Sequence, residues 1–137
     1  METLMTSVLL MDDDIAFAFA LTRTLRGHGY DVDTVDNASD AMEHIEAKDY
    51  AVLLTDIIIK IDGHFVPDGG LSLIHRLRAR ETEMSGQRPL PIIAMSGTTK
   101  YPGMQNILNI AQSLGASAII EKPAAHQSYL DLIKDLT

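Results

Sequence analysis

The sequence has no cysteine, which excludes disulfides, thiolate catalysis and cysteine-ligated metals and suits a reducing compartment. No apolar run approaches the roughly 18 residues that a membrane helix needs, so no membrane span is expected. Residues 1–11 lack the positive n-region, long apolar segment and small-residue cleavage site of a signal peptide, and the expected location is cytoplasmic. Basic residues are scarce, 11 Lys and Arg against 19 Asp and Glu, and the net charge of −8 repels nucleic-acid phosphates. Partners are expected to be proteins or small ions. The 5 histidines show no metal-ligand spacing such as H-x-x-x-H. Repeats, low-complexity tracts and linkers are missing too, and 137 residues suffice for one domain but not for a second folded unit or an effector.

What is present is a cycle of short apolar runs and amphipathic stretches. Val8 to Met11 reads as a strand buried on both faces and stopped by three aspartates. From Ile15 to about Arg26, Phe17, Leu21 and Leu25 recur at helical spacing, and Gly27 and Gly29 mark the end. Val32 to Val35 alternates with aspartates, a helix capped by Asn37 or Ser39 runs to Lys48, and Ala51 to Thr55 forms the third strand. A long loop, Ile57 to Gly70, leads to a helix over Leu71 to Arg80. The run Leu90 to Met95 makes the fourth strand, Met104 to Leu114 a helix closed by Gly115, Ala118 to Glu121 the fifth strand, and Ser128 to Leu136 the last helix. Five strand-then-helix units predict an α/β, doubly wound, five-stranded parallel sheet with helices on both faces.

In such a sheet, ligands bind at the carboxyl ends of the strands. That is where this chain places Asp12 and Asp13, Asp56, Ser96 and Lys122, one chemical type for each strand end. Clustered carboxylates repel one another unless a cation neutralises them. All-oxygen donors suit Mg²⁺ better than zinc. A carboxylate is also a nucleophile toward phosphorus, and Mg²⁺, Lys122 and the Ser96 hydroxyl together suit the equatorial oxygens of a transferring phosphoryl group.

Four segments in order carry a family resemblance: Leu9-Leu10-Met11-Asp12-Asp13-Asp14, Leu53-Leu54-Thr55-Asp56, Pro91-Ile92-Ile93-Ala94-Met95-Ser96-Gly97 and Gly115-Ala116-Ser117-Ala118-Ile119-Ile120-Glu121-Lys122-Pro123. Over nearly its whole length the chain resembles the response-regulator receiver domains of two-component signalling, in their single-domain CheY-like form. The resemblance implies a flavodoxin-like (βα)5 fold and a phosphoacceptor at Asp56. It implies that Asp13 binds Mg²⁺ directly, Asp12 through water, and that the Ile58 backbone carbonyl adds a ligand. Ser96 and Lys122 fall at the phosphoryl oxygens, with a cis bond before Pro123. The implied donor is a histidine kinase or histidine phosphotransfer protein. The implied chemistry goes no further than the domain's own phosphorylation and dephosphorylation.

The chain also departs from that family. The Ile57–Gly70 connection is longer than usual, with Lys60 in place of proline, turn signals at Asp62-Gly63 and Asp68-Gly69, and Phe65 and Val66 suited to a flap. His64 lies in the same connection, near enough in sequence to approach Asp56. Thr98 to Gly103 is a second extension, and the usual aromatic reporter three residues before Lys122 is Ile119, which leaves either another residue such as Tyr101 as a substitute or an unusual output surface. Ile15 and Phe19 form a second, exposed stripe on the first helix where a kinase or phosphotransfer bundle could dock. Two rivals stand beside the phosphoacceptor: a receiver fold that binds a protein without phosphorylation, and a phosphatase of the haloacid-dehalogenase type. The Asp-x-Asp that the second requires at its nucleophile is missing at Asp56. Asp14 is readable as a helix cap alone, and the output protein is unspecified.

Overall fold

Three apolar runs become the middle of the sheet: β1 (Ser7–Met11), β3 (Val52–Asp56) and β6 (Ile92–Ser96). Strand β2 (Asp31–Val35), which alternates with polar residues, and β7 (Ala118–Glu121) take the edges. All pairings are parallel, in the order β2-β1-β3-β6-β7. The computed structural model describes residues 5–61, 64–66, 68–83, 88–97 and 106–137.

Because successive side chains on a strand point to opposite faces, each central strand feeds two cores. Leu9, Met11, Leu53, Ile92 and Ala94 pack beneath α2 (Ala38–Ala47), α3 (Asp68–Glu83) and α4 (Ile107–Leu114). Val8, Leu10, Leu54, Ile93 and Met95 pack on the opposite side against α1 (Ile15–Gly27) and α5 (His126–Leu136). This is the doubly wound arrangement that the alternation of elements predicts, in the flavodoxin-like (βα)5 form that the family resemblance implies. No helix among the described residues is long and apolar enough to cross a membrane.

Local chemistry sets the element ends. Asp14 caps α1, its carboxylate accepting from the Phe17 amide at 3.1 Å. Asn37 rather than Ser39 caps α2, accepting from the Asp40 amide at 2.8 Å, and Ser39 lies inside the helix. The sixth strand starts at Ile92 rather than Leu90 because Pro89 and Pro91 have no N–H to donate, and the Leu90 amide turns to Glu81 at 2.9 Å. Helix α3 starts at Asp68, earlier than Leu71, and α5 at His126, earlier than Ser128. The expected start of α4 at Met104 lies outside the described residues.

The connection after β3 is not the plain loop expected. Ile59–Ile61 (β4) and His64–Val66 (β5) pair antiparallel as a separate two-stranded sheet, with Lys60 opposite Phe65 and Ile61 opposite His64. The Asp62-Gly63 pair between them is the dipeptide that favours tight hairpins.

Candidate functional site

The sheet order places β1 and β3 side by side at its centre, and the connections from these two strands leave toward opposite faces, so their carboxyl ends border a crevice. Asp12 and Asp56 are buried there and Asp13 is half-buried. One carboxylate oxygen from each lies within 4.8 Å of the others. Lys122, from the end of β7, reaches between two of them, with its Nζ 2.8 Å from Asp12 Oδ2 and 3.1 Å from Asp56 Oδ2. Its amide donates to the Ser96 carbonyl at 2.8 Å, which ties the ends of β6 and β7 together. The Lys122–Pro123 bond is cis. Ser96 is fully buried as the last residue of β6.

Backbone groups position the acceptor. The Ile58 amide donates to Asp56 Oδ1 at 3.1 Å, and the Asp14 amide donates to Asp12 Oδ1 at 2.9 Å. The Asp56 main chain is held by the Thr55 hydroxyl, which donates to its carbonyl at 3.1 Å, and by the next amide, Ile57 to Met95 at 3.0 Å. Burial above all, with Asp12 beside it, pushes the Asp56 carboxyl up to about 6 against the downward pull of the Lys122 ammonium and the Ile58 amide. Burial alone would lower the Lys122 pKa, but its two carboxylates outweigh that and raise it. Among the described contacts, the Lys122 ammonium is shared by Asp12 and Asp56, with the Asp13 carboxylate in the same cluster.

A profile of the response regulator receiver domain matches residues 8–134. The chain belongs to the response regulator receiver family. In sequence this receiver is 26% identical over 129 residues to the sensory/regulatory protein RpfC of Xanthomonas campestris pv. campestris, covering 94% of the chain and 16% of that relative. The chain thus spans under a fifth of the length of the curated relatives it matches. In structure it is similar to chemotaxis response regulator CheY4 of Vibrio cholerae, with a TM-score of 0.74 and 19% identity over 98% of this chain and 100% of that one. It is also similar to the receiver domain of sensor histidine kinase PA1611 from Pseudomonas aeruginosa PAO1, with a TM-score of 0.75 and 20% identity over 97% and 98% of the two chains. The fold and the family are those of CheY-like two-component receivers.

The receiver brings Asp12, Asp13, Asp56 and Lys122 to one place and sets Ser96 and Ile58 on the strand and loop that border it. His64, the first residue of β5, is exposed. Ile119 is half-buried on β7, opposite Ala94 and against the core under α3 and α4. Tyr101 and the 98–103 extension lie outside the described residues.

One residue that sequence reasoning passed over is Gly70, in the first turn of α3. A Cβ there would overlap the Asp56 carbonyl oxygen and stand 2.5 Å from Ile57 Cα, so only glycine lets α3 press on the acceptor's backbone. Gly70→Ala is expected to destabilise the receiver by roughly 1–3 kcal/mol, the usual cost of overpacking, measured by urea unfolding. Gly97 offers a contrast: a Cβ there would make ordinary contacts with Lys122 at 3.7 Å and beyond, so Gly97→Ala should unfold like the wild type.

Proposed function

We propose that this receiver accepts a phosphoryl group from phosphohistidine onto Asp56 with Mg²⁺, and signals by the resulting change in conformation. The observation that carries the reading is the cluster of three carboxylates with oxygens within 4.8 Å, two of which Lys122 bridges. Its donors are all oxygen, which fits Mg²⁺. The structure of the PA1611 receiver is described with a magnesium ion coordinated in its active-site cleft. Asp13 would hold the ion directly, Asp12 through water, with Asp56 and the Ile58 carbonyl completing the protein's share. When bound, Mg²⁺ supplies positive charge against the phosphoryl oxygens.

The remaining steps belong to the chain. An Asp56 carboxylate oxygen attacks phosphorus; the P–N bond to the imidazole breaks, and its electron pair stays with the leaving ring, which takes up a proton. The product is an acyl phosphate. Lys122 passes from the carboxylate to a phosphoryl oxygen, and the Ser96 hydroxyl donates to another. Activity ends with the domain's own phosphorylation and dephosphorylation, in the manner of a signalling module, and the expected setting is the cytoplasm. We read residues 1–137 as one receiver unit. Adding beryllofluoride and Mg²⁺ should give bound-fluoride resonances in ¹⁹F NMR that Asp56→Asn lacks. Their absence from the wild type would favour a constitutive binding module.

The donor, a histidine kinase or histidine phosphotransfer protein, would dock on α1, where Ile15 is 83% and Phe19 64% exposed. Two large apolar side chains in water on one helix are a natural anchor for a partner's helices. Ile15→Asp with Phe19→Ala should slow phosphotransfer from a donor protein about tenfold while leaving labelling by acetyl phosphate unchanged. Equal slowing with both donors would contradict the docking role.

A further inference from the structure

The Lys122 ammonium has a third neighbour besides its two carboxylates. Its Nζ lies 4.3 Å from the centroid of the Phe17 ring, inside the roughly 6 Å over which an aromatic face attracts a cation. Phe17 is itself anchored. Its amide donates to the Asp14 cap at 3.1 Å, and the Asp14 amide donates to Asp12 at 2.9 Å. Its ring meets Tyr129 edge-on, with centroids 5.8 Å apart at 62°. Tyr129 is fully buried and packs on His126, 6.4 Å away, whose Nδ1 is 2.6 Å from the Thr24 hydroxyl. Helix α5 therefore braces, through Tyr129, the ring that α1 carries. A lysine head on a flexible four-carbon stem has no such rigidity of its own.

We propose that Phe17 is a positioning residue for Lys122, its ring face holding the ammonium between Asp12 and Asp56 where a phosphoryl oxygen arrives. The proposal rests on the phosphoacceptor reading of Asp56. In the family pattern the aromatic reporter precedes the lysine on its own strand, where this chain has Ile119. Here the lysine's aromatic neighbour comes from α1, the helix that also carries Ile15 and Phe19.

Two variants separate the ring from its bulk: Phe17→Leu keeps apolar volume, and Phe17→Tyr keeps the π face. With acetyl phosphate and Mg²⁺, Phe17→Leu should label roughly twofold to thirtyfold more slowly than wild type, the range a cation–π contact supports, and Phe17→Tyr should recover the wild-type rate. In ¹H–¹³C spectra of the unphosphorylated protein, the Lys122 ε-methylene protons should show the upfield shift of a ring current in wild type and Phe17→Tyr, and lose it in Phe17→Leu. Wild-type labelling by Phe17→Leu, equal slowing in both variants, or an ε-methylene shift indifferent to Phe17→Leu would overturn the proposal. A wild type that takes no label counts against the phosphoacceptor reading instead, and the ε-methylene shift then decides the Phe17 contact alone.

Discussion

Asp56→Asn should raise the stability of the metal-free receiver at pH 7–8 by about 1–3 kcal/mol and, on the proposed function, should take no phosphoryl group. The stability effect follows from the direction in which the site moves this carboxyl. Its ordinary value is 3.8 and burial lifts it to about 6, so the folded chain holds the proton more tightly than the unfolded chain does. The ionised form therefore costs stability above pH 6, at about 1.36 kcal/mol for each pH unit between the two values, and the cost fades as pH falls toward 4. Asparagine removes that cost but takes one partner from Lys122, which keeps Asp12 at 2.8 Å, and this places the expected gain below the full 3 kcal/mol or so. Chemical unfolding of both proteins from pH 4 to 8 without divalent metal is the check. The two should converge at the acid end and separate as pH rises, and a variant weaker than wild type at pH 8 would contradict the account. Adding Mg²⁺ should narrow the gap, since a ligand that binds only the folded state stabilises it, and wild type holds the fuller carboxylate set.

Lys122→Met acts in the opposite direction on stability and in the same direction on chemistry. The lysine is the one cation within 3.1 Å of Asp12 and Asp56 among the described contacts, and removing it leaves buried carboxylates facing each other. Breaking a buried pair in this way costs about 3–5 kcal/mol. Methionine keeps most of the volume, so the loss reports charge rather than a cavity. Acetyl phosphate labelling should fall on the order of 10²–10³-fold, the usual effect of deleting a donor to the oxygens of a transition state. Urea unfolding and labelling rates with saturating Mg²⁺ measure the two effects separately. A variant that keeps wild-type labelling would remove Lys122 from the chemistry.

Opposite stability changes from two neighbouring substitutions are hard to obtain from packing alone. They follow from Lys122 standing between Asp12 and Asp56.

Much of this was readable from residue order. Apolar runs ending abruptly in charged residues, Met11 before Asp12 or Ile120 before Glu121 and Lys122, show both where a strand stops and what it presents, because parallel strands all end at the same edge of the sheet. The hairpin after β3 escaped because strands of three residues carry too little alternation to stand out, although Asp62-Gly63 between Ile61 and His64 was the available signal. Gly70 escaped because its role depends on how closely α3 approaches Ile57, a distance no local pattern encodes. Phe17 escaped differently. Helical spacing assigned it to the core with Leu21 and Leu25, and it does pack there, but it stays half-buried at the helix's first turn, where its ring meets a lysine from the opposite end of the chain.

The most direct measurement is tandem mass spectrometry of the protein after incubation with acetyl phosphate and Mg²⁺. The account predicts one added phosphoryl group, on the peptide containing Asp56 and at that residue, and none on Asp56→Asn. No mass increase in the wild type, or an increase that survives Asp56→Asn, would contradict it.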